Sequence, residues 1–425
     1  MLDIKLLREE PDKVKKGIAS KKHDPKLVDE FLALDLEWRK LTAAIDEKRA
    51  EQKKLSAERK IEEAKKNKEE IKSGEEKLGE LEKKRDAIWK QIPNVPSEDT
   101  PVGEDESGNK VIRKNGTPRK FDFKPLDHME LGERLGLIDT ETASKVSGSR
   151  FAYLKGDAVL LEFAIVHYAM SFLMNAKFLE SVAGGVKQGH SGKPFVPVVP
   201  PVMIRPEVFE RMARLEPKEE RYYIPSDDAY LVGSAEHTLG PLHMDETIPE
   251  ENLPLRYVGF STAFRREAGS YGKDTKGILR VHQFDKIEIE SFTLPEYAVT
   301  EQDFIVAIQE NMMWELELPY QVVQICTGDM GGPDARQIDI ETWIPSQGKY
   351  RETHTSDYMG DYQARRLNTK VKRKSGKTEF VHMNDATAFA IGRTLIAIME
   401  NYQTKDGKIE VPKVLQKYLG KKVIG

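Results

Sequence analysis

From Phe31 onward the apolar positions recur at alternating steps of three and four: Phe31, Leu34, Trp38, Leu41 and Ile45, with Lys48, Gln52 and Leu55 in the same frame. Ile71, Leu78, Leu81, Arg85, Ile88 and Ile92 repeat the pattern, with Gly74 in the missing place. Each series is a heptad seam, and together they predict two long helices packed along one stripe. Ser56 to Asn67, between them, holds almost no large apolar residue. The simplest geometry folds the second helix back on the first as an antiparallel hairpin. An arm of roughly 30 residues at about 1.5 Å per residue reaches about 45 Å. Proline stops the second helix at Ile92-Pro93-Asn94-Val95-Pro96.

Beyond the arm the period changes. Pro96 to Asp122, with three prolines and three glycines, reads as a linker. The boundaries expected are 1–100 for the hairpin, 101–122 for the linker and 123–425 for a larger body. Leu126 to Glu180 is mainly helical in pattern. Phe195–Val199, Leu255–Phe264, Ile278–Phe292, Tyr320–Cys326 and Gln337–Ile344 are short β-rich runs, several alternating apolar and polar as half-buried antiparallel strands do. Ala386 to Gln403 reads as a closing helix. The fold class is α+β: a mostly antiparallel sheet of six to eight strands flanked by helices, behind an amino-terminal helical hairpin. Val159 to Ala176 is apolar over about a membrane span, yet it carries Glu162, His167 and Tyr168, so a buried helix is expected and no membrane anchor.

Charge sharpens the reading of the arm. The first hundred residues hold 25 Lys+Arg and 24 Asp+Glu, while the whole chain of 425 carries a net charge of −4. No global basic field advertises nucleic acid. Lys48 to Lys68, at the predicted tip, is different: nine Lys or Arg against four Glu, and no aromatic. One reading is a solvated helix pair. The other is an arm that meets a phosphate backbone by charge and shape, without base stacking. The single cysteine, Cys326, excludes an intramolecular disulfide framework and favours a reducing compartment. It reads as a small buried hydrophobe. The start, Met-Leu-Asp-Ile-Lys, lacks the pattern of a secretory signal.

No phosphate-binding glycine loop or dinucleotide fingerprint follows a strand, and no Ser-His-Asp order or His-Glu-x-x-His is present. A nucleotide would have to be held by side-chain cations, an aromatic platform and carboxylates. Those parts are concentrated in two places. Phe264-Arg265-Arg266-Glu267 and Arg280-Val281-His282-Gln283-Phe284-Asp285-Lys286-Ile287-Glu288 flank a polar, glycine-rich loop from Ala268 to Gly277. Two strands joined there would set Arg265, Phe284 and Glu288 on neighbouring positions of one sheet. The second place is Arg393, preceded by Asn384, Asp385 and Thr387. An arginine fork suits phosphate oxygens.

The order of these parts resembles the seryl-tRNA synthetases, class II aminoacyl-tRNA synthetases, over essentially the whole chain. Val198-Val199-Pro200-Pro201 resembles the strand-ending proline of motif 1, with Pro200 the closer match. Phe264-Arg265-Arg266-Glu267 resembles motif 2, and Gly392-Arg393-Thr394 resembles motif 3. Glu267-Ala268-Gly269-Ser270-Tyr271-Gly272, His282-Gln283-Phe284-Asp285-Lys286 and Asp361-Tyr362-Gln363-Ala364-Arg365-Arg366 are similar to the seryl subfamily itself.

The resemblance implies ATP-dependent ligation of L-serine to tRNA(Ser) through a seryl-adenylate, and serylation of tRNA(Sec) where an organism has one. It implies that Arg265, Glu352 and Arg393 are catalytic. Arg265, Arg266, Glu267, Phe284, Glu352, Thr353, His354, Thr355 and Arg393 are expected to bind ATP. In these roles Arg265 holds the α-phosphate and the serine carboxylate, Phe284 stacks on adenine and Arg393 holds the γ-phosphate. Ser234, Ala235, Glu236, Arg265, Glu288 and Thr387 are expected to bind serine. Glu352 is the expected Mg²⁺ ligand; zinc is not expected, because the nine histidines show no metal-ligand spacing. Lys53, Lys54, Lys65 and Lys66 are expected to meet tRNA in a cytoplasmic homodimer. Two positions depart from the family's common pattern: Ser234 stands where Thr is usual, and Asp385 where Asn is usual. The alternatives are a relative that activates serine for a non-tRNA acceptor and a non-catalytic tRNA-binding paralogue.

Overall fold

The computed structural model describes residues 1–268 and 277–425; Gly269 to Gly272 of the quoted motif, and most of the loop around them, lie outside the described residues. Met1–Pro96 and Ser97–Gly425 are two compact units.

In the first unit, helices α1 (Ile4–Glu9) and α2 (Pro11–Ser20) pack beside α3 (Lys26–Ala57), which returns through Glu58-Arg59-Lys60 into α4 (Ile61–Gln91). The two heptad seams meet as their spacing predicts. Ile45, Leu55 and Leu81 are buried between the helices. A Cβ at Gly74 would stand 3.1 Å from Ile45 Cγ1, so the glycine leaves Ile45 its place. Arg85 is tolerated in the seam because its guanidinium lies 4.4 Å from the centroid of the Trp38 ring. The seam also runs further towards the tip than apolar spacing shows. Asn67 is buried, and its amide donates to the Lys48 carbonyl and to Gln52 Oε1, both at 2.9 Å. A satisfied buried amide fixes helix register. At the base, Asp35 is fully buried, and Arg8 grips it with hydrogen bonds of 2.7 and 2.9 Å.

The second unit is built on one sheet of eight strands: β1 (Lys110–Asn115), β2 (Val196–Val198), β3 (Leu255–Phe264), β4 (Gln283–Thr293), β5 (Tyr320–Gln324), β6 (Arg336–Ile344), β7 (Lys349–Gly360) and β8 (His382–Ala390). Their order is β1-β5-β6-β7-β8-β4-β3-β2, and every neighbouring pair is antiparallel except β2 with β3. One face is apolar. Val258, Ile287, Ile289, Val322, Ile338, Ile340 and Ala386 belong to a core shared with the helices Asp157–Leu173, Ala298–Glu315 and Ile391–Asn401. The other face is polar and carries the candidate site.

Four expectations change. The stretch 101–122, read as a linker, contributes the edge strand β1. The run Ile278–Phe292 becomes a strand only at Gln283. β7 was not anticipated: its alternation is carried by threonines, Asp357 and Glu352 rather than by apolar residues. Ala386 to Gln403 is not one helix; it is strand up to Ala390, and the helix begins at Ile391. The small residues Ala386, Ala388 and Ala390 suggest a helix, but both faces of β8 are covered, and its hydrogen-bonding edges are taken by β4 and β7. The buried helix expected near Val159 is Asp157–Leu173, and no single helix among the described residues is long and apolar enough to cross a membrane.

One ion pair locks the sheet to its helix layer. Arg256, on β3, donates from Nε to Glu301 Oε1 at 2.6 Å and from Nη2 to Oε2 at 2.7 Å, with both side chains fully buried. Burial alone would push Glu301 up. Arg256, helped by His190 and Ser291, outweighs it and holds the carboxyl down at about 2. Arg256→Ala is expected to cost about 3–5 kcal/mol of stability at neutral pH in urea unfolding, because it leaves a buried charge alone. A carboxyl depressed in the folded state stabilises above its ordinary 4.5 and loses that contribution as pH falls towards 2. The gap between wild type and variant should therefore narrow across that window, and a gap that does not change there would exclude this pair as its source.

Candidate active site

The polar face of the sheet floors a cleft of about 360 Å³. Strand register lays its side chains out in rows. Lys286 on β4 faces Ala390 on β8. In the next row Glu288 faces Thr387, whose hydroxyl meets that of Thr355 on β7 at 3.2 Å. In the row after that, Glu290 faces Asp385, and Asp385 faces Asp357. Bulges between Ile287 and Glu288 and between Ile340 and Glu341 adjust where these rows point.

At one end stand Arg265, Phe284, Glu352 and Arg393. Arg265 follows β3 directly, its N–H bonded to the His282 carbonyl at 3.0 Å. Its Nε donates to the Gly233 carbonyl at 3.0 Å, and its guanidinium carbon sits 5.3 Å from the Phe284 ring centroid. Arg393, in the first turn of helix Ile391–Asn401, donates from Nη1 to Glu352 Oε1 at 2.7 Å and to the Glu352 carbonyl at 2.9 Å. Enclosure in the cleft would raise the Glu352 carboxyl, but Arg393, Lys286 and Arg265 outweigh it and hold it below the usual range. Glu267 has a left-handed backbone (φ 51°) and accepts from Arg280 at 3.2 Å beside Phe284.

At the other end a proton-donor chain runs from Lys286 Nζ to Ser234 Oγ at 3.3 Å and from Ser234 Oγ to Glu288 Oε1 at 2.6 Å, while Lys286 also pairs with Glu288 directly. Burial raises the Glu288 carboxyl against the pull of Lys286. Ala235 is buried and leads into helix Glu236–Leu239. His237 Nδ1 accepts the Gly233 N–H at 3.1 Å, which leaves the proton on Nε2, 3.4 Å from Glu236 Oε1. Burial holds His237 down at about 4. Burial also opposes ionisation of Glu236, but Arg214 overrides it and keeps that carboxyl well below the ordinary range.

The cleft thus brings together Arg265, Glu267, Phe284, Glu352, Arg393, Glu236, Thr355 and Thr387, with Ser234 and Glu288 bonded in its wall. Two expected ATP residues are not in the cleft lining, and a third lines it with its hydroxyl engaged elsewhere. Arg266 turns away, over the Tyr222 ring at 4.8 Å. His354 lies 5.1 Å from the Phe389 ring, bonded to Thr353 Oγ1, and burial holds it down at about 3. Thr353 reaches the cleft, but its hydroxyl is committed to Thr342 and to the Ile340 carbonyl. Among the described residues, Arg214, Arg280 and Lys286 are cations of the cleft to which the sequence assigned no role. Lys286 stood inside a quoted motif; Arg214 lies in a charged loop with nothing in its neighbours to mark it. Lys53, Lys54, Lys65 and Lys66 are exposed on α3 and α4 either side of the arm's turn.

Comparison with known proteins decides the family. Residues 1–96 match the seryl-tRNA synthetase N-terminal domain, and 221–402 match the tRNA synthetase class II core domain (G, H, P, S and T). The serine–tRNA ligase of Pseudothermotoga lettingae is 40% identical, with 100% of both chains covered. The chain belongs to the seryl-tRNA synthetase family. Among solved seryl-tRNA synthetases, the Pyrococcus horikoshii protein complexed with ATP superimposes with a TM-score of 0.92 at 38% identity, covering 100% of this chain and 99% of that one. The cytoplasmic Naegleria fowleri enzyme in complex with AMP gives 0.88 at 33%, covering 100% and 98%. Arg214 precedes the segment matched to the class II core, whereas the other cleft residues lie within it.

For this seryl-tRNA synthetase family member the site predicts two silent histidines. In selectively labelled protein, the ring resonances of His237 and His354 should stay at neutral-imidazole shifts from pH 8 to pH 5, while exposed histidines titrate. A His237 ring that protonates near its ordinary pH would contradict the tautomer and burial described above.

Proposed function

We propose that this protein ligates L-serine to tRNA(Ser) in two steps, through a seryl-adenylate. The observation that carries the reading is one cleft with two chemically distinct ends. An aromatic ring, two arginines and a carboxylate suit ATP; a hydroxyl–carboxylate–ammonium chain and a threonine suit serine. Phe284 offers its face to adenine, Arg265 holds the α-phosphate and the serine carboxylate, and Arg393 holds the γ-phosphate once it leaves Glu352. The serine carboxylate attacks the α-phosphorus in line and pyrophosphate departs. Arg265, fixed by Gly233, meets the charge that grows on the transferring group without having to reorganise. A ribose hydroxyl of the tRNA's terminal adenosine then attacks the activated carbonyl, the bond from that carbon to the phosphate oxygen breaks, and AMP leaves. No side-chain base is assigned; the adenylate phosphate takes the proton.

Mg²⁺ favours few carboxylates plus phosphate oxygens, and Glu352, half-exposed with its other contacts on one side, fits as its protein ligand. When bound, the ion neutralises phosphate charge. Glu288, Ser234 and Thr387 would hydrogen-bond the serine hydroxyl, and a pocket built to bond a hydroxyl rejects the analogue that lacks one.

The arm supplies tRNA recognition: exposed lysines at its tip, with no aromatic, suit backbone and shape reading of tRNA(Ser), and of tRNA(Sec) where present. A homodimer is supported by the exposed apolar residues Val196, Val199 and Met203 in and just after the motif 1 strand. A single cysteine suits the reducing cytoplasm.

Two experiments test the reading. Purified protein should charge bulk tRNA with labelled serine, and charging with alanine should be weaker by a factor of about 10⁴; failure to charge serine, with folded protein and Mg²⁺, would overturn it. Replacing Lys53, Lys54, Lys65 and Lys66 with alanine should raise the KM for tRNA about tenfold or more at physiological salt and leave serine-dependent ATP–pyrophosphate exchange unchanged. Equal loss of both activities would contradict a tRNA-binding tip.

A further inference from the structure

The row Glu290–Asp385–Asp357 places three carboxyl groups opposite one another on adjacent strands, in the floor of the cleft's amino-acid end. Like charges so placed repel. Over this row lies Arg214. Its Nη2 is 3.1 Å from Asp385 Oδ2, 3.2 Å from Asp334 Oδ1 and 3.8 Å from Asp357 Oδ2, and its Nε is 3.1 Å from Glu236 Oε1. Asp334, Asp357 and Asp385 are nearly or fully buried, with 2%, 10% and 1% of their side chains exposed. The backbone is shaped to admit this contact: a Cβ at Gly331 would stand 2.2 Å from Asp334 Oδ2 and 3.4 Å from Arg214 Nη1. Burial, with Glu236 beside Asp385 and Asp334 beside Asp357, holds the Asp385 and Asp357 carboxyls well above the ordinary range against the pull of Arg214, while Arg214 keeps Glu236 well below it.

We propose that Arg214 is a positioning residue for the amino-acid substrate: by clamping Asp385, Asp334 and Glu236 into one arrangement it shapes the wall that meets serine, and it is the partner that lets Asp stand at position 385. The proposal rests on the reading of this cleft as the serine site. Its logic is one of charge. Asn at 385 would bring no acid to the row; Asp brings one, fully buried among other carboxyl groups, and Arg214 is the cation within hydrogen-bond reach of it. Arg214 reaches four carboxyl groups from one fork, so its loss would leave Glu236 without the cation that keeps it ionised and Asp385 without its partner, beside the bound substrate's ammonium. Among the described residues it makes no hydrogen bond, ion pair or ring contact with Phe284 or Arg393, so ATP contacts should not depend on it.

The test is serine-dependent ATP–pyrophosphate exchange in the full chain, with separate KM values for serine and ATP. Arg214→Gln should raise the KM for serine about 30-fold or more and change the KM for ATP less than about threefold. Adding Asp385→Asn should recover at least about fivefold of that loss, because it removes the buried carboxyl group left without its partner. A serine KM within about threefold of wild type in Arg214→Gln, or a double variant no better than the single, would overturn the proposal. If Arg214→Gln does not fold, Arg214→Lys decides: it keeps the charge and loses the fork, so a raised serine KM with unchanged ATP KM supports positioning, and an unchanged serine KM overturns it. Absence of exchange in the wild type would instead remove the serine-site reading itself.

Discussion

Charge compensation on one face of a single sheet is the constraint on which the rest of this protein depends. Glu288, Glu290, Asp339, Asp357 and Asp385 are all buried or nearly so on that face. Carboxyl groups taken out of water need cations or protons, and among the described residues the cations lining the cleft are Lys286, Arg214, Arg265, Arg280 and Arg393. Lys286 answers Glu288, Arg214 answers the Asp385 row, and Arg393 answers Glu352. Each cation is thereby held in place before any substrate arrives, and placement in advance is what electrostatic catalysis requires. Glu290 has neither oxygen hydrogen-bonded, and burial raises it well above the ordinary range, so it is carried as the neutral acid.

The opposite face makes this possible. Val258, Ile287, Ile289, Ile338 and Ile340 bury against three helices, and that core holds the strands rigid enough to keep carboxyl rows in register. One of these helices, Ala298–Glu315, also satisfies backbone oxygens of the sheet. Gln309 Nε2 donates to the carbonyls of Thr355 and Thr387, and Gln302 Nε2 to those of Arg336 and Ser356. Without these amides, backbone oxygens next to the site would be buried unsatisfied. Helix, bulge and cleft are one construction. The arm is built on another principle, a heptad seam with charged flanks, and its polar layer at Asn67 is again a buried group with every donor satisfied.

The parts of this design that follow from local pattern were legible in the sequence. Heptad spacing foretold both arm helices. Alternation foretold β3, β5 and β6, and the strings around Arg265, Phe284 and Arg393 fall together in one cleft. What stayed hidden was register. β8 reads as a helix because its alanines favour one, and only its pairing with β4 and β7 makes it the central strand. β7 hides because its inward face is polar. His354 looked like a ligand beside Glu352, but the bulge at Glu341 leaves it on the far side against Phe389. Arg214 carries no local signal; its importance comes from four carboxyl groups drawn from distant segments. Asp385 was visible as a departure from the family pattern, yet its partner could not be named until the loop and the strand stood side by side.

The central claim is that this compensated face is built around seryl-adenylate. The most direct test is calorimetric binding of the non-reactive sulfamoyl analogue of seryl-adenylate, beside its alanyl counterpart and AMP. Binding of the seryl analogue at least about 100-fold tighter than AMP, with the alanyl analogue well behind it, is the predicted result. Equal affinity for the seryl and alanyl analogues, or no gain of either over AMP, would contradict the account.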